Sequence, residues 1–90
     1  MCYYVYVLSS LKDGCFYIGF TNNLKKRFSQ HNSGQVLSTK SRRPFKVIYY
    51  EAHTSKKDAK RREQYFKSTK GKSTLRQMLR NALDQKKGGF

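Results

Sequence analysis

The sequence predicts an α+β fold, a small three-stranded sheet flanked by three helices. Residues 3–8, 15–20 and 45–52 are short runs rich in β-branched and aromatic side chains, bounded by turn residues, as strands are. One segment after the second run and two after the third place apolar residues at helical spacing. Seven Tyr and six Phe indicate a packed core and set the chain apart from disordered basic tails. A length of 90 residues with 37% hydrophobic content suits a single domain over 1–90, which would bury roughly 60–65% of its unfolded surface.

Residues 3–8, YYVYVL, are apolar on both alternating faces, as a central buried strand is, and residues 15–20 read the same way. The intervening SLKDG ends in Asp13-Gly14, a hairpin signal because both residue types accept positive φ. A loop of two or four residues pairs even positions of the first strand with odd positions of the second. Tyr4, Tyr6 and Leu8 then share a face with Tyr17; a three-residue loop breaks that match.

The first helix is expected from the cap cluster Thr21-Asn22-Asn23 to the stop at Asn32-Ser33-Gly34. At about 100° per residue, Leu24, Phe28 and His31 form one stripe with Arg27 on its flank, while Lys25, Lys26 and Ser29 point away. An arginine and a histidine therefore face the sheet. Residues 35–44 have no period, carry Lys40, Arg42 and Arg43, and end at Pro44, so they read as a basic loop. Ser55, with Asp58 three residues on, resembles a capping box opening a helix through about Ser68, with Ala59, Glu63 and Phe66 on one stripe. A C-terminal helix over about 74–87 is expected from the Ser73-Thr74 cap and the stripe Leu75, Met78, Leu79, Ala82 and Leu83, stopping before Gly88-Gly89. That stripe reads as core.

Charge narrows the function. A net +15 makes the compact state repel itself and points to a polyanionic partner, nucleic acid above all. The longest apolar run, 3–8, is too short to span a bilayer, and no secretory pattern precedes it, so a cytoplasmic protein, free or on the nucleoid, is expected, with a monomer favoured over a dimer. Cys2 and Cys15 read as reduced thiols, and without C-x-x-C or H-x-x-x-H a four-ligand zinc site has no support.

Five acidic residues exist. Asp13 reads as a turn residue, Asp58 as a cap, and Glu51 and Asp84 as solvated. Glu63 alone sits on an apolar stripe, and a buried carboxylate requires a cation. Arg62, Arg61 or Arg27 would serve in a structural ion pair. The alternative is a divalent metal held by one carboxylate, waters and a phosphate oxygen, as Mg²⁺ is on nucleic-acid substrates. Arg27 suits charge developing at phosphorus, His31 suits orienting a phosphate or a water, and Tyr6 and Tyr17 add phenols on the same side of the sheet.

YVY (Tyr4 to Tyr6) and YIG (Tyr17 to Gly19), separated by a short hairpin and followed by TNNLKKRFSQHNSG, closely resemble the GIY-YIG nuclease superfamily, particularly its small single-domain bacterial branch. The basic loop, IYYEA and the run Ala59 to Lys67, of the form A-x-x-R-E-x-x-x-K, extend the resemblance over residues 3–67. It implies an antiparallel three-stranded sheet flanked by helices and Mg²⁺-dependent (or Mn²⁺-dependent) hydrolysis of DNA phosphodiesters, one strand nicked per site. It places the motif tyrosines on Tyr6 and Tyr17, the helix arginine on Arg27, the following His or Tyr position on His31, the metal-binding glutamate on Glu63 and the motif glycine on Gly19. Lys40, Arg42 and Arg43 would hold the backbone. Tyr4 replaces the first motif glycine, Phe20 stands where several relatives place a lysine, and no late asparagine matches. The competing reading is a non-catalytic DNA- or RNA-binding module on the same fold; a structural partner of RNA is a third.

Overall fold

A computed structural model describes residues 1–83. β1 (Tyr3–Ser10) lies between β2 (Phe16–Thr21) and β3 (Phe45–His53) and is antiparallel to both. Its two apolar faces are explained by that central position: Val5 and Val7 face one side, Tyr6 and Leu8 the other, and all four are buried. The same reading of residues 15–20 needs correction, because β2 is an edge strand and only Ile18 and Gly19 are buried in it.

The hairpin closes through the Ser10 N–H donating to Cys15 O at 3.0 Å, which leaves residues 11–14 as the loop. Gly14 supplies the positive φ of 73° that the turn requires. The resulting register sets Tyr6 opposite Gly19 and Leu8 opposite Tyr17, as an even-numbered loop demands.

α1 (Leu24–Asn32) starts where the Asn23 side chain accepts from the Lys26 N–H at 3.1 Å. At its other end the Asn32 amide grips Phe45 twice, accepting from its N–H at 2.8 Å and donating to its carbonyl at 3.1 Å. Helix α1 thereby covers the face bearing Tyr6, Leu8 and Phe45, with Leu24, Phe28, Tyr17 and Val47 packed around them. The aperiodic loop contains one turn of 3-10 helix, Lys40–Arg42.

α2 (Lys56–Lys67) begins at Ser55, whose hydroxyl accepts from the Asp58 N–H, so the capping reading holds. Together with α3 (Thr69–Met78), it covers the opposite face through Ala59, Phe66, Leu75 and Leu79. The last helix starts five residues before the expected position 74. Ser68 ends α2 and caps α3, its hydroxyl accepting from the Gly71 N–H at 3.0 Å. A Cβ on Gly71 would strike the Tyr65 carbonyl, so glycine is what lets α3 turn this tightly off α2. Leu75 and Leu79 are buried as expected, but Met78 is 43% exposed. Asp84, the final turn to 87 and Gly88-Gly89 lie outside the described residues. Among those described, no helix is long and apolar enough to cross a membrane.

Candidate active site

Tyr6 projects from the centre of β1 towards α1, where its hydroxyl meets His31 Nε2 at 2.9 Å. His31, fully buried, reaches Thr39 Oγ1 through Nδ1 at 2.8 Å. The Thr39 hydroxyl donates to Val36 O at 3.4 Å. It therefore accepts the Nδ1 proton, and Nε2 keeps the lone pair that takes the Tyr6 hydroxyl proton. Tyr17 completes the cluster edge-on, its ring 4.9 Å from the imidazole and 6.4 Å from Tyr6. Sequence reasoning missed Thr39, because an aperiodic loop offers no stripe on which a buried residue stands out.

Burial, with Arg27 adding its positive charge, pushes His31 down to about 4. The native imidazole stays neutral, while the unfolded chain binds a proton near the ordinary value of about 6.5. Stability should therefore be present above that value and lost as pH falls towards 4, by roughly 2 kcal/mol at pH 4.5. Urea midpoints at pH 7.5 and 4.5 check this; His31→Gln, which does not titrate, should lose correspondingly less on acidification. An equal acid loss in both proteins would assign it to other groups.

Gly19 holds Tyr6 in place by being small. A Cβ there would land on the phenol ring and its oxygen, so the Tyr6 side chain crosses directly over the β2 backbone. Burial pushes the phenol up to about 12; Arg27 opposes this rise, and the charges of Tyr17 and Glu63 add to it. Arg27 comes from the half-buried flank of α1 and donates to Gln30 Oε1 at 3.2 Å. It also lines an open cleft of about 420 Å³ together with Lys26, Lys56, Gln30, Asn23 and Phe20. Tyr6, Tyr17, His31 and Glu63 do not line this cleft.

Glu63 is 7% exposed and approaches from α2, beneath the other face of the sheet. Its carboxylate pairs with Lys67 at 3.1 Å and Lys60 at 3.7 Å. These lysines, not an arginine, are its ion-pair partners, and the i−3 and i+4 spacing carried that signal in the sequence. Arg61 instead pairs with Asp58 at 3.2 Å, and Arg62 donates to Glu51 at 2.7 Å. The expectation of a solvated Glu51 is corrected accordingly. Tyr49 donates to it at 2.7 Å and His53 Nε2 lies at 3.0 Å, alternate strand positions brought to one face. Burial works against the Glu51 charge, but these three partners hold its carboxyl below the ordinary range.

Phe20 faces away from Tyr17, as strand alternation requires, and stacks on Tyr3 at 6.1 Å. The Lys60 ammonium lies 4.6 Å above its ring. A cation therefore sits beside Phe20, and the same ammonium reaches Glu63.

The basic loop stands apart from the cleft, since Lys40, Arg42 and Arg43 do not line it. Arg42 is bound to the hairpin turn through Asp13 at 2.9 Å, an interaction that holds the Asp13 carboxyl down at about 2. Arg43 donates to Lys40 O at 2.9 Å. Lys40 is exposed.

Residues 2–77 match the model of the GIY-YIG catalytic domain. A UPF0213 protein of Limosilactobacillus reuteri is 41% identical over 85 residues, covering 91% of this chain and 88% of its own. One from Clostridium perfringens is 45% identical over 65 residues, covering 71% and 69%. The solution structure of a UPF0213 protein from Bacillus halodurans, 36% identical, superimposes with a TM-score of 0.55 over 87% of this chain and 85% of that one. Its likeness extends to the three-stranded antiparallel sheet with flanking helices. With the family model matched over residues 2–77 and a UPF0213 relative 41% identical over most of both chains, the chain belongs to the GIY-YIG nuclease family.

Proposed function

We propose that the chain is a divalent-metal-dependent DNA phosphodiesterase that nicks one strand per site. The observation that carries this reading is the environment of Tyr6. Its phenol sits on His31, crosses Gly19, and feels both Arg27 from α1 and Glu63 from α2.

Glu63 is the carboxylate that would hold Mg²⁺ or Mn²⁺. Among the described residues no group of three His, Cys, Asp or Glu side chains could hold a metal. A single carboxylate fits an ion whose other ligands are waters and the scissile phosphate, which is how Mg²⁺ is commonly bound. When bound, such an ion neutralises phosphate charge and lowers the pKa of its water. The remaining work falls to the side chains. In its phenolate form Tyr6 is the proton acceptor, held in position by His31 and with its ring oriented by Tyr17. Arg27, at the cleft wall, stabilises the charge that builds on phosphorus.

A phenol pushed up to about 12 is almost wholly protonated at neutral pH. Because the phenolate is the active form, cleavage should rise about tenfold per pH unit from pH 6.5 to 9. Single-turnover nicking of supercoiled plasmid, with EDTA as control, tests both the metal and the slope. Tyr6→Phe should remove the rising limb, whereas Tyr17→Phe should lower the rate but keep the limb. A flat profile in the wild type would dismiss a tyrosine base.

Binding should follow the cleft. Its affinity for DNA should fall with salt at a slope of about −0.9 per phosphate contacted. Replacing Lys26 and Lys56 together by Ala should flatten the slope by about two units. Arg42→Ala should leave it unchanged, since that guanidinium is already held by Asp13. It should cost about 1 kcal/mol or less in stability. A slope set by Arg42 would relocate the DNA to the basic loop.

A further inference from the structure

A second groove lies on the other flank of α1. Tyr4, Tyr50, Phe28 and Val47 form its apolar floor and wall, Lys25 stands at its rim, and Asn22-Asn23 close one end. Its volume is about 420 Å³. The same two asparagines border the cleft that holds Arg27, so the two depressions lie on either side of the β2–α1 turn.

We propose that this groove is a stacking platform for an unpaired base of a DNA strand whose backbone runs through the Arg27 cleft, an inference that rests on the nucleic-acid reading of that cleft. Tyr50 is 54% exposed in a chain whose other tyrosines sit mostly against the sheet, and its ring meets Tyr4 edge-on at 6.1 Å. Tyr4 and Tyr50 project from the face that carries Tyr6: Tyr50 is directly opposite Tyr6 in the β1–β3 register, and Tyr4 lies two residues along. Tyr4, Phe28 and Val47 line the groove beside Tyr50, so the exposed ring belongs to an aromatic-lined surface suited to stacking. The charge pattern identifies the occupant. A net +15, with Lys25 at this rim and Lys26 and Arg27 at the next, disfavours a cationic partner and fits a phosphate-linked one. Bases offer a π-face to an aromatic floor whatever their identity, so the site is tolerant of sequence. A paired base cannot enter, because both of its faces are already stacked in the duplex.

The test is fluorescence anisotropy with a short labelled oligothymidylate and a duplex of the same length. Tyr50→Ala should weaken oligothymidylate binding about five- to tenfold. It should leave duplex binding within about twofold and the salt slope unchanged, since no cation is lost. Tyr50→Phe should restore binding, because the stacking ring returns without the hydroxyl. Wild-type affinity in Tyr50→Ala, an equal loss on the duplex, or a loss confined to an oligouridylate of the same length would each overturn the platform. Failure of the wild type to bind either DNA at low salt would overturn the nucleic-acid reading itself, an outcome distinct from the first three.

Discussion

Glu63→Gln should abolish metal-dependent nicking, by about a hundredfold or more, while DNA binding and the fold persist. The size of the loss follows from the role: an amide has the shape of the carboxylate but no charge with which to hold a divalent cation, whose contribution to such reactions is several kcal/mol. The persistence of the fold follows from the ion pairs. Lys60 and Lys67 are each about half exposed, with side chains 54% and 47% accessible. Removing the glutamate charge therefore strands no cation in the core, and stability should change by about 1 kcal/mol or less. Thermal melts and anisotropy establish that the variant folds and binds; plasmid nicking in Mg²⁺ then decides. A folded Glu63→Gln that cuts at the wild-type rate would reduce Glu63 to the centre of a structural lysine pair.

Gly19→Ala should be as damaging to activity and also lower stability. The added methyl needs the space occupied by the Tyr6 phenol, and that ring cannot retreat, being 1% exposed and hydrogen-bonded to His31. Overpacking of this kind costs about 1–3 kcal/mol. Displacing the phenol by even an ångström is enough for a loss of about a hundredfold in rate. A double-mutant cycle separates this cause from a general backbone effect. In a Tyr6→Ala background the methyl meets an empty space, so Gly19→Ala should become nearly neutral for stability. Equal costs in both backgrounds would place the defect in β2 itself.

Much of this arrangement was legible in the residues. The alternation of YYVYVL told of a strand covered on both faces, and the hairpin parity put Tyr17 beside Tyr6. The stripe of α1 delivered Arg27 and His31 to the sheet because helical spacing is a strict geometric constraint. What escaped had no periodic signature. Thr39 is buried by a loop whose path is set by Asn32, Ser10 and the hairpin turn, contacts between residues far apart in the chain. Glu51 gains Arg62 only once α2 docks on β3. The early start of α3 depends on Gly71 meeting the Tyr65 carbonyl, a tertiary approach that overrides the low helix propensity of glycine. The burial of Glu63 was anticipated from its stripe, but its partners were sought among arginines when two lysines on its own helix were within reach.

The central position of β1 also sets an order in time. Its pairing with β2 spans a short turn, whereas its pairing with β3 sets Tyr3 against His53 across more than half of the chain. Local closures are fast and distant ones slow, so the hairpin precedes the completed sheet. During synthesis from the N-terminus, the two tyrosines, Arg27 and His31 leave the ribosome well before β3, and Glu63 arrives after it on α2, which packs against all three strands. A growing chain therefore displays its positive charge before it owns its carboxylate. On this timetable Tyr6, Tyr17, Arg27, His31 and Glu63 are brought together only once synthesis has passed α2.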